Sequence, residues 1–205
     1  DDWKLDVVAS GSQKGYMIPP GLSFIAMSQK AWEAAEKSNL PKFYLNLKSY
    51  KKSLLSNSNP YTPAVNLVFA LDEALKMMRE EGLDNIFLRH NKHKLAMSNA
   101  AKALNLKLFA NEKYLSPSIT AIETKEIDAE EFRKIIKNKF DILLAGGQDH
   151  LKGKIFRVGH LGYVNDRDII TVISAISNTL LNLGKISAEQ AGETLKVASK
   201  YLELN

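Results

Sequence analysis

The sequence of 205 residues contains no cysteine. This absence excludes disulfide bonds and removes thiolate ligands for zinc or for iron–sulfur clusters. No run of about 18 apolar residues occurs, and the first residues, DDWKLD, lack the basic and then apolar pattern of a secretory signal. We therefore expect a cytoplasmic protein that has no cysteine-ligated redox centre and is not bound to a membrane.

Charges of both signs are mixed along the sequence, with 28 lysine and arginine residues, 23 acidic residues and a formal net charge of +5. Such mixing is typical of a solvated surface and argues against a continuous basic track for nucleic acid. Apolar residues make up 45% and charged residues 25%, which is the balance of an ordered globular protein. A chain of this length can bury one core or two smaller ones.

The first part of the sequence predicts two strands and then helices. Two short apolar runs rich in β-formers predict buried strands at 5–10 and 22–28, joined by a polar loop that contains Lys14. Composition and amphipathic spacing then predict helices at 28–38, from Val65 to a stop at Gly82, and at 83–105. The stretch between the first two helices, 47–65, is too broken to form one element.

The second part of the sequence alternates strands with helices. Predicted strands lie at 106–110, 118–124, 141–147 and 154–160, and predicted helices at 128–139, 166–183 and 187–203. This alternation is typical of α/β or α+β folds. We place a domain boundary near residue 84.

Lys14 lies in the segment ASGSQKGYMIPPG, directly after the first predicted strand. A lysine in a partly dry setting gives up its proton more readily, and its neutral amine can attack a carbonyl to form a Schiff base. Gly11 and Gly15 are expected to let the backbone turn tightly on either side. Small polar neighbours can donate hydrogen bonds to an anionic group: Ser10, Ser12 and Gln13. From the local sequence alone, an ordinary exposed loop lysine is the more frequent explanation.

Arg157 lies in the segment KIFRVGHLG, where strand alternation places it on one face with Ile155 and Gly159. The planar fork of an arginine binds carboxylate or phosphate in a bidentate manner, so an arginine on a core-like face favours an anionic ligand. A structural ion pair with an acidic side chain explains the sequence equally well.

The segment NPYTPAV, residues 59–65, places Tyr61 and Thr62 just before a predicted helix, where backbone donors can bind a phosphate. Ordinary capping of that helix is the explanation that the local sequence favours. The four histidines lack metal-ligand spacing, and His90 and His93 are expected on a solvated helix face. The segment LAGGQ, 144–148, lacks the Gly-Lys-Ser/Thr ending of a phosphate loop.

Three segments together carry a more specific resemblance: SGSQKGYMIPPG around Lys14, YTPAVNLVFALDEAL at 61–75, and GGQDH with KIFRVGHLG at 146–162. Their order and approximate spacing resemble the class V aminotransferases, pyridoxal-phosphate enzymes of the alanine–glyoxylate and serine–glyoxylate type, over essentially the whole chain. Within that family the sequence is most similar to cyanobacterial members named as the small, or tritium-exchange, subunit of a soluble hydrogenase.

The resemblance implies roles for single residues. It implies that Lys14 binds pyridoxal 5′-phosphate covalently and moves the proton at the substrate Cα, and that Arg157 binds the α-carboxylate of the amino acid. It implies that Thr62, with Asn59 or Tyr61 nearby, reaches the phosphate of the cofactor in the other subunit of a homodimer. The implied cofactor-binding residues are Lys14, Gln13, Ser12, Tyr61 and Thr62, and no metal is implied.

The resemblance also implies an architecture, the α/β fold type I of pyridoxal-phosphate-dependent transferases. Residues 1–84 correspond to the end of the large domain and residues 85–205 to the small α+β domain. Family members carry, ahead of the lysine, an aspartate for the pyridine nitrogen, a stacking aromatic residue and a first phosphate-binding turn. None of these can be matched here, and Asp6 is too close to Lys14 to replace that aspartate. We therefore expect a C-terminal half whose partner is its own N-terminal half.

The expected activity is transfer of an amino group between a small amino acid, alanine or serine, and a 2-oxo acid, glyoxylate or pyruvate. The alternatives are an accessory small subunit of a soluble hydrogenase and a fragment that binds nothing; the absence of cysteine argues against metal catalysis in the first of these. Without the N-terminal half, we expect residues 1–60 to lose order and to bind the cofactor weakly or not at all. Residues 85–205 are expected to fold alone.

Overall fold

The computed structural model describes residues 3–125 and 127–202. The chain divides into two compact units, Asp1–Glu80 and Glu81–Asn205. The first unit contains strands β1 (Val7–Gly11) and β2 (Ser23–Met27) and the helices α1 (Gln29–Lys37), α2 (Leu47–Leu54) and α3 (Val65–Glu81), the last of which ends one residue beyond the division. Within the described residues, no helix is long and apolar enough to cross a membrane.

The first unit begins with an antiparallel pair of strands. β1 and β2 pair in a register that runs from Val7 opposite Met27 to Gly11 opposite Ser23. The prediction that both strands are buried is wrong for this chain, because Val7, Val8 and Ile25 are 53%, 46% and 47% exposed. Val7 and Ile25 lie on one face of the pair and Val8 on the other, so both faces present apolar side chains.

Ser28 begins α1 as predicted. Its hydroxyl oxygen accepts a hydrogen bond from the Ala31 N–H at 3.1 Å, and its hydroxyl donates to Asp6 at 2.8 Å. Lys30 pairs with the same carboxylate at 2.8 Å. Hydrogen bonds from Lys30 and then from Ser28 lower the pKa of Asp6. These contacts fasten the start of α1 to the start of β1.

Within its described residues, the second unit consists of a four-stranded antiparallel sheet and four α-helices. Its elements are α4 (Leu83–Ala103), β3 (Lys107–Leu108), β4 (Ile119–Glu123), α5 (Ala129–Phe140), β5 (Ala145–Gly146), β6 (Ile155–Gly159), α6 (Asp166–Asn182) and α7 (Ala188–Leu202). The strand order is β3-β4-β6-β5. The predicted strand at 141–147 is reduced to two residues because Asp141, at φ 55°, ends α5 in the left-handed conformation and the chain pairs only from Ala145.

The strand register separates two faces of this sheet. Ile122 lies opposite Phe156, and Thr120 opposite Val158, on the face that is buried against the helices. Apolar residues of all four helices complete that core, among them Met97, Ala100, Phe132, Ile136, Ile169, Ile173, Ile176, Ala198 and Leu202. Arg157 lies on the other face, between Ala121 of β4 and Ala145 of β5. The core thus forms within residues 96–202, and independent folding of 85–205 stays a prediction.

Gly147, directly after β5, lies where no side chain fits. Its N–H donates to the Ile155 carbonyl at 3.1 Å. A Cβ built on Gly147 would overlap the backbone carbonyl of Leu151, which lies in a single 3-10 turn. Backbone cannot move aside as a flexible side chain can. We expect Gly147→Ala to lower the free energy of unfolding by about 2 kcal/mol, as overpacking does, in chemical denaturation.

Gly192 provides the matched control. It lies exposed in the middle of α7, where an added Cβ meets no atom within 4 Å. Gly192→Ala is therefore expected to raise the free energy of unfolding by about 0.5–1 kcal/mol, the helix preference of alanine over glycine. Equal effects of the two substitutions would contradict the steric explanation for Gly147.

Candidate functional site

The loop between β1 and β2 is closed by Ser12. This residue is completely buried, and its hydroxyl donates to the Pro19 carbonyl at 2.7 Å while accepting the Leu22 N–H at 3.2 Å. Its N–H donates to the Leu22 carbonyl at 3.0 Å, and its own carbonyl accepts the Ile18 N–H at 3.4 Å. The hydroxyl hydrogen of Ser12 is thus used within the chain to hold the loop in shape, and its implied contact with the cofactor stays a prediction.

Lys14 lies at the exposed turn of this loop. Its N–H donates to the Gly11 carbonyl at 3.3 Å, and its carbonyl accepts the Met17 N–H at 3.1 Å. No carboxylate of the described residues pairs with its amine. Asp6, which lies just before β1, pairs with Lys30 instead. The structure thus holds the lysine backbone firmly and leaves the ε-amine accessible.

The turning residues of the loop differ from the prediction. Met17 at φ 64° and Gly21 at φ 139° adopt the left-handed conformations, whereas Gly11 and Gly15 do not have positive φ angles. The expectation for Gly11 and Gly15 is therefore wrong as an argument from backbone freedom. Gly11 instead ends β1, and the folded-back amide of Gln13 occupies the space beside its Cα.

Several backbone donors in the loop are available to a ligand. The N–H groups of Gln13, Gly15 and Tyr16 have no acceptor among the described residues. Tyr16 is held from the side by Phe24, whose ring centroid lies 4.3 Å away. An accessible amine with unused N–H donors beside it suits a ligand that has both a reactive carbonyl and anionic oxygens, so the residues present fit the pyridoxal phosphate implied by the motifs.

Thr62 and Tyr61 lie before α3 in the first unit. The Tyr61 hydroxyl donates to the Phe43 carbonyl at 3.2 Å, and its ring lies 4.7 Å from that of Tyr44. Thr62 is exposed, and within the described part of the chain its hydroxyl makes no hydrogen bond. The first N–H of the helix, at Val65, donates to Pro63 rather than to a side chain. Ordinary helix capping is thus not the role of Thr62, and its hydroxyl is available to a ligand.

Arg157 is half-buried in the middle of β6 in the second unit. Its Nε donates to the Gly146 carbonyl at 2.8 Å. Among residues 3–125 and 127–202, no carboxylate lies within ion-pair distance of its guanidinium. The structural ion pair that the sequence left open is therefore not formed there, and both terminal nitrogens of the fork are free to bind an anion.

His93 contradicts the expectation of a solvated helix face. It is completely buried, and its Nε2–H donates to Asp166 at 2.9 Å while Lys92 pairs with the same carboxylate at 2.8 Å. Burial lowers the pKa of His93 against the opposing effect of Asp166. Burial opposes ionisation of Asp166 as well, but the bonds from Lys92 and His93 lower its pKa. His93 is therefore a neutral donor to an ionised carboxylate.

His160, in the RVGHLG segment, is completely buried behind the end of β6. Its Nδ1–H donates to the Pro117 carbonyl at 3.0 Å, and the Thr120 hydroxyl donates to its Nε2 at 2.9 Å. Burial lowers the pKa of His160 to about 4. The neutral ring ties the end of β6 to the start of β4. Within the described residues, no group of three or more histidine, aspartate and glutamate side chains could hold a metal ion.

The buried state of His160 predicts a loss of stability in acid. The ordinary pKa of 6.5 holds in the unfolded chain and the lowered value, about 4, in the folded one. The unfolded state therefore binds the proton first, and the free energy of unfolding falls as the pH drops from 6.5 to 4. Across the whole range, protonation of His160 is expected to lower the free energy of unfolding by about 3 kcal/mol. Urea unfolding at several pH values measures it.

His160→Gln is the comparison for this measurement, because glutamine offers a donor and an acceptor but does not titrate. We expect the variant to be less stable at pH 7 and to show a shallower decline between pH 6.5 and 4. Declines of the same depth in both proteins would assign the acid sensitivity to other groups, such as His93.

The site includes groups that sequence reasoning missed. The Gly146 carbonyl is a backbone acceptor and has no side-chain signal, and Arg133, which fastens the neighbouring Leu144 carbonyl at 2.7 Å, lies on a different element. The sequence signal in this region was the Gly146-Gly147 pair after an apolar run, and two glycines after a strand are typical of a tight turn.

Comparison with known proteins gives consistent matches. The family model described as "Aminotransferase class-V" matches residues 1–168. A Synechococcus protein named soluble hydrogenase, small subunit, is 56% identical over 184 residues, covering 90% of this chain and 48% of that protein. A serine–glyoxylate aminotransferase of Methylorubrum extorquens is 35% identical over 213 residues, covering 100% of this chain and 52% of that protein.

A solved structure extends these matches to three dimensions. The crystal structure of the ureidoglycine–glyoxylate aminotransferase of Bacillus subtilis superimposes with a TM-score of 0.89 at 29% identity, covering 100% of this chain and 54% of that one. The chain spans about half the length of the curated relatives that it matches.

Proposed function

The chain belongs to the class V aminotransferase family, and on that premise we propose that it is the C-terminal part of a pyridoxal 5′-phosphate-dependent aminotransferase. The enzyme moves an amino group between a small amino acid, alanine or serine, and a 2-oxo acid, glyoxylate or pyruvate. Two relatives whose names include glyoxylate as a substrate support this substrate class. Both the resemblance inferred from the motifs and the fold type I architecture are confirmed.

The observation that carries the proposal is the state of Lys14. Its backbone is fixed by hydrogen bonds to Gly11 and Met17 in a loop that the buried Ser12 closes, yet its amine is exposed and has no acidic partner among the described residues. A lysine that forms a covalent bond with a bound carbonyl requires a backbone held in place and an accessible amine.

Different residues of this chain have different roles in the proposed reaction. When bound, pyridoxal phosphate supplies a ring that stabilises negative charge at the substrate Cα. Lys14 would hold the cofactor through its amine, which condenses with the cofactor carbonyl with loss of water. Once the substrate amine replaced it there, the released Lys14 amine would accept the Cα proton and return it on the other side of the transfer. The N–H groups of Gln13 and Gly15 offer hydrogen bonds to its anionic oxygens. Arg157 binds the substrate carboxylate through its two terminal nitrogens and so orients the Cα–H bond.

Two partners follow from the same proposal, the N-terminal half of the protein and a second subunit. Support comes from the exposed apolar residues of the first unit, which include Val7, Val8 and Ile25 on both faces of the strand pair and Val65, Val68 and Phe69 on α3. Surfaces of this kind are usually covered by protein. In the homodimer, the free hydroxyl of Thr62 reaches the cofactor phosphate of the other subunit.

A second candidate is the accessory subunit of a soluble hydrogenase. The name of the Synechococcus relative favours it, at 56% identity. Because the sequence contains no cysteine, this half cannot supply thiolate ligands for a hydrogen-activating cluster.

The experiment that tests the proposal is reductive labelling of the complete polypeptide. After addition of pyridoxal 5′-phosphate and borohydride, peptide mapping is expected to find the cofactor mass on the peptide that contains Lys14 and to find the visible absorbance lost. A protein that retains no cofactor, or carries it on several exposed lysines at once, overturns the proposal. A hydrogen-uptake assay on the same preparation tests the second candidate.

A further inference from the structure

Arg157 is one member of a longer arrangement on β5, β6 and α5. We propose that Arg133 is a positioning residue for carboxylate binding: it fixes the short strand β5, whose Gly146 carbonyl in turn sets the direction of the Arg157 guanidinium. This inference rests on the proposed function, in which Arg157 binds the substrate carboxylate. Arg133 acts through Arg157 and contacts no substrate.

The first step is the bond from Arg157 Nε to the Gly146 carbonyl, at 2.8 Å. A guanidinium has five N–H donors in a rigid plane, and a bond at Nε fixes the rotation of that plane. One N–H of each terminal nitrogen then forms a parallel pair at the end of the fork, and neither terminal nitrogen is bound within the described residues. A carboxylate that approaches from there meets two parallel donors without further reorganisation.

The second step is the support of Gly146. Its strand is only two residues long, with Ala145 opposite Arg157 and Gly146 opposite Phe156. So short a strand has few ladder bonds of its own. Arg133 adds one from α5, because its Nε donates to the Leu144 carbonyl at 2.7 Å, directly before the strand. The Gly147 N–H fastens the other end to the Ile155 carbonyl at 3.1 Å.

The third step is the close packing at Gly146. A Cβ built on Gly146 would lie 2.5 Å from Arg133 Nη1 and 2.5 Å from Glu130 Oε1. Both atoms are the far ends of flexible side chains, so a larger residue at position 146 would displace the Arg133–Glu130 pair from its present position.

The fourth step is electrostatic. Arg133 and Arg157 are both half-buried, but Arg133 is neutralised by Glu130, whereas Arg157 has no carboxylate partner among the described residues. An incoming anion therefore meets at Arg157 a cation that no carboxylate of the described residues neutralises. Arg133 supports the binding group without competing for the ligand.

The test uses the complete holoenzyme with Arg133→Met, which keeps the apolar stem and removes the donor to Leu144. We expect the KM for L-alanine and L-serine to rise about tenfold, the cost of misdirecting one charge-assisted contact, with kcat at saturation nearly unchanged. Arg167→Met is the matched control, since it removes the same charge from an exposed position on α6. Its KM is expected to equal that of the wild type.

A second readout does not depend on activity. The Arg157 Nε–H gives a nitrogen-15 NMR signal, which is assigned by its absence in Arg157→Lys, and its hydrogen exchange reports the bond to Gly146. We expect slow exchange in the wild type and at least about tenfold faster exchange in Arg133→Met. Glu130→Gln weakens the ion pair with Arg133 but leaves Arg133 in place. We expect it to raise KM and to speed exchange of the Arg157 Nε–H, each by a smaller factor than Arg133→Met.

The outcomes separate this inference from the proposed function. If Arg157→Lys raises KM but Arg133→Met and Glu130→Gln leave both KM and Arg157 exchange unchanged, the positioning role is overturned and the role of Arg157 stands. If Arg157→Lys itself leaves KM unchanged, the proposed function of Arg157 fails instead. Should Arg133→Met prove unfolded by urea titration, Glu130→Gln decides between the same alternatives.

Discussion

Replacement of Lys14 by alanine is expected to abolish amino transfer in the complete enzyme, with kcat lower by a factor of about 10³ or more. Under the proposed function two roles are lost with one side chain, because the same amine forms the covalent link to the cofactor and moves the Cα proton. The substitution leaves the loop intact, since Ser12 and not the lysine side chain closes it. Steady-state transamination assays and the visible absorbance of bound cofactor measure the two losses separately.

Lys37→Ala is the matched control for this prediction. Lys37 is an exposed lysine in the last turn of α1, in the same unit as Lys14, and its removal changes the net charge equally. We expect its activity and absorbance to equal those of the wild type. Turnover in Lys14→Ala above a trace would show that another group carries the proton and would remove Lys14 from the mechanism.

The sequence indicated three candidate side chains of the site through its motifs, and their roles stay predictions. Lys14, Thr62 and Arg157 are side chains whose chemistry is visible in the residue type, and each is accessible or free of an acidic partner within the described residues. The strands around them were predicted near their observed positions because alternation and turn residues are local signals. What local signals could not provide was the environment of each element.

The error at β1 and β2 illustrates that limit. An apolar run predicts a strand that will be buried, but it does not indicate whether the protein that buries it lies within the same 205 residues. Val7, Val8 and Ile25 are about half exposed because two strands cannot cover both of their own faces. Helix α2 was missed although Leu47, Tyr50 and Leu54 recur at helical spacing, because the helix has only eight residues and its start depends on capping by Asn46.

The buried histidines were mispredicted because their burial depends on partners far along the chain. His93 is polar on a helix, yet it is covered because Asp166, more than 70 residues later, accepts its hydrogen bond. His160 is likewise satisfied by Thr120 and by the Pro117 carbonyl. Residue spacing identifies neighbours along one helix and gives no information on such tertiary pairs.

The second large effect is expected at Arg157, which lies in the second unit, whereas Lys14 lies in the first. Arg157→Lys is expected to raise the KM for alanine and serine about 100-fold, because a single ammonium replaces two parallel donors. The bond from Nε to the Gly146 carbonyl is lost as well, so the remaining charge is not directed. Cofactor absorbance is expected to stay as in the wild type, since the substitution leaves the Lys14 loop unchanged.

Arg167→Lys completes this prediction as its control, because it makes the same chemical change at an exposed arginine on α6. Its KM values are expected to match those of the wild type. The ratio of the two effects isolates the carboxylate contact from any general consequence of replacing arginine by lysine. Unchanged KM values for several amino acids in Arg157→Lys would show that the arginine serves the sheet alone. In that case another group binds the carboxylate of the substrate.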